Sequence, residues 1–345
     1  MEREKIMVAM SGGVDSALAA YLLCRDGADC AGVTMRLGVD NERDARDARA
    51  VAEKVGIPHT VVQMQAIFRR TVMEPFAAAY EAGLTPNPCY LCNREIKFGA
   101  LLESARQMGY PLLATGHYAR VEKSGERFLL RKGADPEKDQ SYFLAGLSQA
   151  QLACVRFPLG NLRKSEVKAL AATLGLVSEQ RRESQDVCFV PDGKYAEVIE
   201  RMTRKTYPAG DFVTPDGKVL GRHRGLIRYT VGQRKGLGLS LPAPLYVCEK
   251  RVRDNCVVLS DNASLFSATV HVGQMNWIAF DQPAEPFRAY ARIRYRQKEQ
   301  PATVFPMEAG QARIVFDTPQ RAVTPGQAAV LYDGDTVIGG GIIQG

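Results

Sequence analysis

The chain has 345 residues, of which 46% are hydrophobic and 24% are charged, an ordinary balance for a globular protein of two or three domains. No apolar run is long enough to span a membrane and the N-terminus lacks the apolar core of a signal peptide, so we expect a cytoplasmic protein without membrane contact. Eight cysteines are too sparse for a disulfide scaffold, and the net charge of +7 weakly favours a polyanionic partner.

The first part of the chain alternates strand patterns with helix patterns. Apolar runs predict buried strands at residues 6–10, 31–37, 59–63 and 111–114. Apolar residues spaced three and four apart predict helices at residues 17–25 and 44–55. Strands that alternate with helices form parallel sheets, which bind ligands at the carboxyl ends of their strands. The fold class is therefore α/β, with a Rossmann-like N-terminal domain predicted at residues 1–205.

After about residue 205 the helical pattern fades, and short β-rich runs alternate with turn signals such as TPDGK. We expect a small β-rich central domain at residues 206–274. Residues 275–345 read as strand and turn throughout, which predicts a C-terminal domain that resembles a β-barrel.

The segment SGGVDS, residues 11–16, follows the first predicted strand and opens the first predicted helix. Gly12 and Gly13 carry no Cβ that would block an anion, and the N–H groups of a helix start point toward it. Ser11 and Ser16 add hydroxyl donors, and Ser16 could cap the helix. The alternative is a plain glycine-rich turn with Asp15 in solvent, but the strand–helix junction favours phosphate binding. SGGVDS resembles the PP-loop of the ATP pyrophosphatases, which implies that it holds the pyrophosphate of ATP and that Asp15 lies near Mg²⁺.

Two cysteine segments have polar, turn-like surroundings: TPNPCYLCNREIKFG with Cys89 and Cys92, and SQDVCF with Cys188. Cys92 precedes a predicted helix at residues 93–109, and a thiol near a helix start has a lowered pKa and is the better nucleophile. Arg94 and Lys97 would add to this effect. Ordinary packing of buried thiols is the alternative, which we prefer for the other cysteines.

Eight motifs extend over nearly the whole chain: SGGVDS, NPCYLCNREIKFG, TGHYAR, KDQSYFL, SQDVCF, YTVGQRKGLG, RYRQ and YDGDTVIGGGII. They occur in this order in the tRNA-specific 2-thiouridylases, which the sequence resembles. That family uses ATP and a protein-bound persulfide to make 2-thiouridine at the wobble position of tRNAs for Lys, Glu and Gln. The resemblance implies tRNA and a sulfur-donor or persulfide relay protein as partners.

The resemblance also implies site residues. Cys92 is the nucleophile and Cys188 the persulfide carrier, and a disulfide between them forms and is reset during the cycle. Residues implied to bind ATP are Ala9, Met10, Ser11, Gly12, Gly13, Val14, Asp15, Ser16, Met35 and Gly116. Residues implied to contact tRNA are His117, Lys138, Asp139, Gln140, Arg294, Tyr295 and Gln327.

Cys89 departs from the family pattern, which has Asp at this position. One interpretation is that Cys89 is a bystander beside a working persulfide pair. Another is that Cys89, Cys92 and Cys188 hold a [4Fe–4S] cluster, whose fourth iron binds sulfide. A three-cysteine zinc site is a further possibility.

Two basic segments, residues 221–235 and 287–298, each contain five Lys or Arg and no acid. Arginines position phosphates, and the interleaved Tyr290 and Tyr295 could stack on bases. An ordinary strand with a solvated face is the alternative. Two other functions also stay open: another PP-loop adenylating ligase, which does not need the thiols, and a non-catalytic RNA-binding protein, which does not need SGGVDS.

Overall fold

The computed structural model describes residues 3–38, 42–176, 187–190, 193–240 and 242–345. Among these residues, no helix is long and apolar enough to cross a membrane. Their strands form a five-stranded, a four-stranded and an eight-stranded sheet.

The strands follow one another in the chain as β1 (Lys5–Ala9), β2 (Asp29–Arg36), β3 (His59–Gln63), β4 (Leu112–Ala114), β5 (Ala119–Ser124), β6 (Arg127–Lys132), β7 (Val155–Arg156), β8 (Gly210–Val213), β9 (Val219–His223), β10 (Tyr246–Arg251), β11 (Cys256–Ser260), β12 (Phe266–Trp277), β13 (Phe287–Arg292), β14 (Gln300–Met307), β15 (Gln311–Arg321), β16 (Ala328–Asp333) and β17 (Thr336–Ile343). The helices are α1 (Val14–Arg25), α2 (Glu42–Val55), α3 (Gln65–Phe68), α4 (Glu74–Glu81), α5 (Pro88–Cys92), α6 (Leu102–Gln107), α7 (Ser141–Leu144), α8 (Gln149–Leu152), α9 (Lys164–Thr173) and α10 (Tyr195–Thr203). The segments Arg69–Met73 and Asn93–Leu101 are π-helical.

The N-terminal sheet is parallel, with the strand order β3-β2-β1-β4-β7. Successive residues of β1 point to opposite faces, so that Ile6 and Val8 pack with α1, α2 and α9, while Met7 packs in the core on the other face. Burial on both faces explains the continuous apolar runs of the sequence. The α/β prediction is confirmed. Strand β7 escaped prediction because two residues carry no periodic pattern.

The helical segment around Cys92 begins earlier than predicted. The Asn87 side chain caps it by accepting a hydrogen bond from the Tyr90 amide (3.3 Å), and Pro88 occupies the first turn, where its missing N–H costs nothing. Helical structure then continues through the π-helical segment into α6 and ends at Gln107. The expected start at residue 93 is therefore wrong, and Cys92 lies in the second turn.

The two C-terminal sheets agree with the predicted β-rich central part and barrel. The central sheet has the order β10-β11-β8-β9. In the barrel, β12, β15, β14, β13, β16 and β17 follow one another, and pairing of β12 with β17 closes the ring. The expected domain boundary after residue 274 falls inside β12, which pairs with barrel strands along its length.

A hairpin from the N-terminal half joins the barrel. Strands β5 and β6 extend the barrel sheet, where Thr336 of β17 pairs with Arg131 of β6. The backbone amide of Lys132 donates to the carbonyl of Asp335 (2.9 Å), and the side-chain amide of Gln149 donates to the carbonyl of Ile278 (3.0 Å). The barrel is thus fixed to the part of the chain that contains the cysteine and glycine motifs.

Candidate functional site

The SGGVDS loop connects the end of β1 to the start of α1, as the sequence predicted. Gly12 adopts a φ of +70°, a left-handed conformation that favours glycine. The Ser16 hydroxyl donates to the Gly13 carbonyl (3.0 Å) and accepts from the Ser11 amide (3.2 Å), which folds the loop on itself. Gly13, and not Ser16, is the N-cap, and no side chain of the described residues caps the helix there. The free N–H groups of the first turn suit an anion.

Of the residues predicted to bind ATP, those outside the continuous segment 9–16 are Met35 and Gly116, and they flank this loop. Strands β2 and β4 lie on either side of β1, so Met35 near the end of β2 and Gly116 just after β4 reach the same edge of the sheet. A Cβ on Gly116 would lie 2.8 Å from the backbone of Asp15, so only glycine allows this approach. The Thr34 hydroxyl donates to the carbonyl of Met10 (2.8 Å) and holds the loop to β2.

Asp15 makes contacts that the sequence did not reveal. The Lys164 ammonium donates to both carboxylate oxygens, at 2.6 Å and 2.7 Å, and the Tyr118 hydroxyl donates to Oδ1 at 2.7 Å. The same ammonium lies 5.6 Å from the centre of the Tyr118 ring. Tyr118 stands in the motif TGHYAR and could have been suspected, whereas Lys164 is 149 positions away and the first residue of α9.

The thiols of Cys89, Cys92 and Cys188 lie close enough for the charge of one to affect the pKa of another. Burial raises the pKa of Cys92 to about 12, Lys97 acts to lower it, and the charges of Cys188 and Cys89 raise it. Burial also raises the pKa of Cys188, as does the charge of Cys89, while Lys97 lowers it. Cys188 is an exposed residue, whereas Cys92 is only 9% exposed.

The expected low pKa of Cys92 is therefore wrong for this conformation. The thiol lies in the second helical turn and is shielded from water, and desolvation of the thiolate outweighs the attraction of Lys97. All eight cysteines are free thiols. Among the described residues, no three His, Cys, Asp or Glu side chains are grouped so that they could hold a metal ion, so the cysteines do not fit a [4Fe–4S] cluster or zinc as they stand.

His117 connects the glycine loop to the helical segment with the thiols. Its Nδ1 lies 2.7 Å from the Thr115 hydroxyl, and its ring lies 5.9 Å from the ring centres of Phe98 and Phe157. Burial, helped by the charge of Lys97, lowers the pKa of His117 well below its usual value. The imidazole is therefore neutral at neutral pH.

Several residues predicted to contact tRNA bond inside the protein. Asp139 is 3% exposed and accepts hydrogen bonds from the Gly133 amide (3.1 Å) and the Ser141 hydroxyl (2.9 Å). The Gln140 side chain accepts from the Tyr118 amide (3.0 Å), and Gln327 donates to the carbonyl of Thr85 (2.8 Å). A direct RNA contact through the Asp139 carboxylate is not available in this conformation.

Three further residues of that prediction are partly exposed. Lys138 is partly exposed, on the loop that precedes α7. Arg294 donates to the Ala322 carbonyl and to the Thr324 hydroxyl, and the ring of Tyr295 lies 4.3 Å from that of Phe143. All three are partly exposed and keep some surface for a partner.

The basic segments acquire acidic partners from elsewhere in the chain. Arg228 pairs with Glu200 at 2.6 Å, and Arg288 pairs with Asp317 at 2.6 Å. Exposed charges of the two segments include Arg224, Arg234, Lys235, Arg296 and Lys298. The basic surface is smaller than the sequence suggested, because acids distant in the chain fold against it.

Three family models match the chain. They are described as a tRNA methyl transferase HUP domain (residues 4–192), a tRNA methyl transferase PRC-barrel domain (196–261) and an aminomethyltransferase beta-barrel domain (267–343). The chain is 45% identical to the tRNA-specific 2-thiouridylase MnmA of Acetivibrio thermocellus, with 100% of both chains covered. It is 42% identical to the proteins of that name from Clostridioides difficile and Treponema denticola, with 99% of this chain and 98% of each relative covered.

Proposed function

The chain belongs to the tRNA-specific 2-thiouridylase family, and from this premise we propose that it replaces the C2 oxygen of a tRNA uridine by sulfur, with ATP as the activating substrate. Two of the three family models are described as tRNA methyl transferase domains, whereas the curated relatives carry the thiouridylase name. The glycine loop and the paired thiols favour the latter chemistry.

The first half of the proposed reaction is adenylation. The C2 carbonyl oxygen of uridine is a poor leaving group, and transfer of AMP from ATP to it, with release of pyrophosphate, makes it a good one. Residues Ala9 to Ser16, Met35 and Gly116 are proposed to bind the nucleotide, with the phosphates at the N–H groups that open α1. Asp15 suits a Mg²⁺ ion that arrives with ATP, because such ions commonly take one or two carboxylates and complete their shell with phosphates and water.

The second half is sulfur transfer, for which Cys188 carries a terminal sulfur as a persulfide. Cys92 either attacks the inner sulfur of the persulfide, which leaves a Cys92–Cys188 disulfide and releases sulfide that displaces AMP from C2, or first displaces AMP from the activated carbon itself. In the second route the outer persulfide sulfur replaces Cys92 on the carbon, and Cys92 then attacks the Cys188 sulfur, which leaves the sulfur on C2 and forms the same disulfide. The observation that carries the proposal is that the charge of Cys188, 96 positions away in the chain, raises the pKa of Cys92. The charge of Lys97 acts on both thiols and on His117, whose neighbour Gly116 lies against the backbone of Asp15 in the glycine loop. The exposed surface of Cys188 suits reloading by a relay protein.

The test is nucleoside analysis of unmodified tRNA incubated with the full chain, ATP, Mg²⁺ and a persulfide donor. We expect 2-thiouridine together with one AMP for each sulfur inserted, and tRNAs for Lys, Glu and Gln as the preferred substrates. Cys92→Ser and Cys188→Ser should each abolish thiolation while tRNA binding persists, and Cys256→Ser, remote from the site, should retain the activity. Wild-type rates in either of the first two variants contradict the sulfur route.

The other interpretations give different results in the same assay. A different PP-loop ligase releases pyrophosphate with an amine and without RNA, and a non-catalytic RNA-binding protein turns over no ATP. A route through a [4Fe–4S] cluster at Cys89, Cys92 and Cys188 requires iron and sulfide in the active protein after anaerobic reconstitution. Full activity of an iron-free protein leaves Cys89 as a bystander.

We place the reaction in the cytoplasm, where tRNA and ATP are both present.

A further inference from the structure

Lys164 and Asp15 form an ion pair at the entrance of the glycine loop. Both oxygens of the carboxylate accept from the ammonium, at 2.6 Å and 2.7 Å, in a fork that leaves the Lys164 side chain 9% exposed and that of Asp15 34% exposed. The backbone of Lys164 is fixed as well, because its amide donates to Asp135 (2.9 Å). Helix α9 thus presents its first side chain to the first turn of α1.

The ion pair with Lys164 neutralises the charge of the glycine loop. SGGVDS contains one acid and no base. An unpaired Asp15 would repel the phosphates of ATP at the N–H groups where they are proposed to bind. An ammonium within hydrogen-bonding distance of the loop cancels that repulsion, and ammonium groups on flexible stems are common phosphate ligands.

The geometry also shows that Asp15 has little capacity left for a metal ion. Its Oδ1 accepts from Lys164 and Tyr118, and its Oδ2 accepts from Lys164. A divalent cation that arrives with ATP can use this carboxylate only if the ammonium moves away. The released ammonium then stands beside the phosphates, whose charge favours it there.

We propose that Lys164 is a phosphate-binding residue of the glycine loop, and that its ion pair with Asp15 is exchanged when the nucleotide binds. The Asp15 carboxylate would then hold the metal ion that accompanies ATP, and the Lys164 ammonium would turn to a phosphate of ATP. Two charge pairs replace one, and no bond is broken or electron transferred. This inference rests on the proposed use of ATP by the loop and assigns a role to a residue outside the loop.

The test is calorimetric binding of ATP and of adenosine to the full-length protein, with and without Mg²⁺. In Lys164→Gln we expect ATP affinity to fall about tenfold or more, the loss of one charged hydrogen bond, while adenosine affinity stays unchanged. At saturating ATP, the Mg²⁺ concentration for half-maximal effect should decrease, because no ammonium competes for Asp15. A merely structural role would weaken adenosine binding too and would not favour Mg²⁺.

Two further variants make the outcome decisive. Lys168→Gln removes the same charge one turn later in α9, at an exposed position, and should leave both affinities unchanged. Asp15→Asn frees the ammonium and removes the repelling charge, so it should bind metal-free ATP more tightly than the wild type. Unchanged ATP affinity in Lys164→Gln, or weaker binding of metal-free ATP by Asp15→Asn, overturns the proposal.

These measurements also separate the inference from the proposed function. They require no tRNA and no sulfur, so a wild-type protein that binds ATP but thiolates no tRNA refutes the proposed reaction and leaves the role of Lys164 open to the same test. If Lys164→Gln unfolds, weaker binding of metal-free ATP by Asp15→Asn still overturns the inference.

Discussion

Asp139 and Arg292 form a buried ion pair that links the N-terminal half of the chain to the barrel. Asp139 Oδ2 lies 3.6 Å from Arg292 Nη1, and the two side chains are 3% and 13% exposed. Arg292 ends β13 and also bonds to Glu299 at 2.7 Å. The loop at residues 138–140, predicted to contact tRNA, is therefore held in place by the barrel through one of its own side chains.

Asp139→Ala should destabilise the fold before it affects RNA binding. The substitution leaves Arg292 without this partner in a buried setting and the Ser141 hydroxyl without its acceptor, and we expect a loss of about 3 kcal/mol in the free energy of unfolding. Urea denaturation measures it. Asp317→Ala removes the partner of the exposed Arg288 and should cost much less stability, because solvent screens an exposed ion pair. Wild-type stability with weakened tRNA binding in Asp139→Ala would instead support a direct contact with RNA.

The order of alkylation should report the burial of Cys92. Iodoacetamide reacts with thiolates, and burial raises the pKa of both thiols, that of Cys92 to about 12, so the more accessible Cys188 should be modified before Cys92. Below that pKa, each unit of pH multiplies the thiolate fraction of Cys92 by about ten, so its modification rate should rise steadily with pH. Lys97→Gln should slow the modification of Cys92 at each pH, because the charge that lowers this pKa is gone.

Mass spectrometry of modified peptides follows both sites at once, and Arg106→Gln, distant from the thiols of the site, serves as a charge control. Fast modification of Cys92 near neutral pH would show that the structure in solution exposes this thiol. Such a result would restore the expectation, drawn from the helix start, of a readily ionised Cys92.

Parts of the site that depend on a local sequence pattern could be predicted, whereas parts that depend on contacts between distant segments could not. The strand carrying Ile6 to Val8 and the loop SGGVDS are local signals, and both were identified where they lie. The ion pair of Asp15 with Lys164 joins residues 149 positions apart, and nothing in the sequence around either residue predicts it. The high pKa of Cys92 was missed for a similar reason, because burial depends on elements that pack over the thiol and not on its neighbours in the chain.

The hairpin β5–β6 shows the same limit at the level of the fold. Its residues are an ordinary two-stranded pattern, yet they complete a sheet whose other strands begin at Phe266. Similarly, acids such as Asp317 and Glu200 neutralise arginines of the basic segments from outside those segments. Composition within a window therefore overestimated the charge that the folded surface presents.

Acid should destabilise the protein partly through His117. Its pKa in the folded state is well below the usual value, so the unfolded chain binds this proton first, and stability is lost as pH falls below about 6.5. The contribution is at most about 1.4 kcal/mol per pH unit for one proton. His117→Asn should lose less stability than the wild type between about pH 7.5 and 5.5 in urea denaturation, the interval in which a normal histidine titrates. His271→Asn, at an exposed site, should follow the wild type.

The exposed charges after β13 should determine how tRNA binding responds to salt. Arg296 and Lys298 are exposed, whereas both terminal nitrogens of Arg288 donate hydrogen bonds to the Asp317 carboxylate. Each phosphate contact adds about 0.7 to 0.9 to the slope of log affinity against log salt concentration. Arg296→Ala with Lys298→Ala should therefore reduce that slope by about 1 to 2, and Arg288→Ala should leave it unchanged. Filter binding of one tRNA across a salt series gives the slopes, and a wild-type affinity that does not depend on salt would remove the basis for a phosphate-binding surface here.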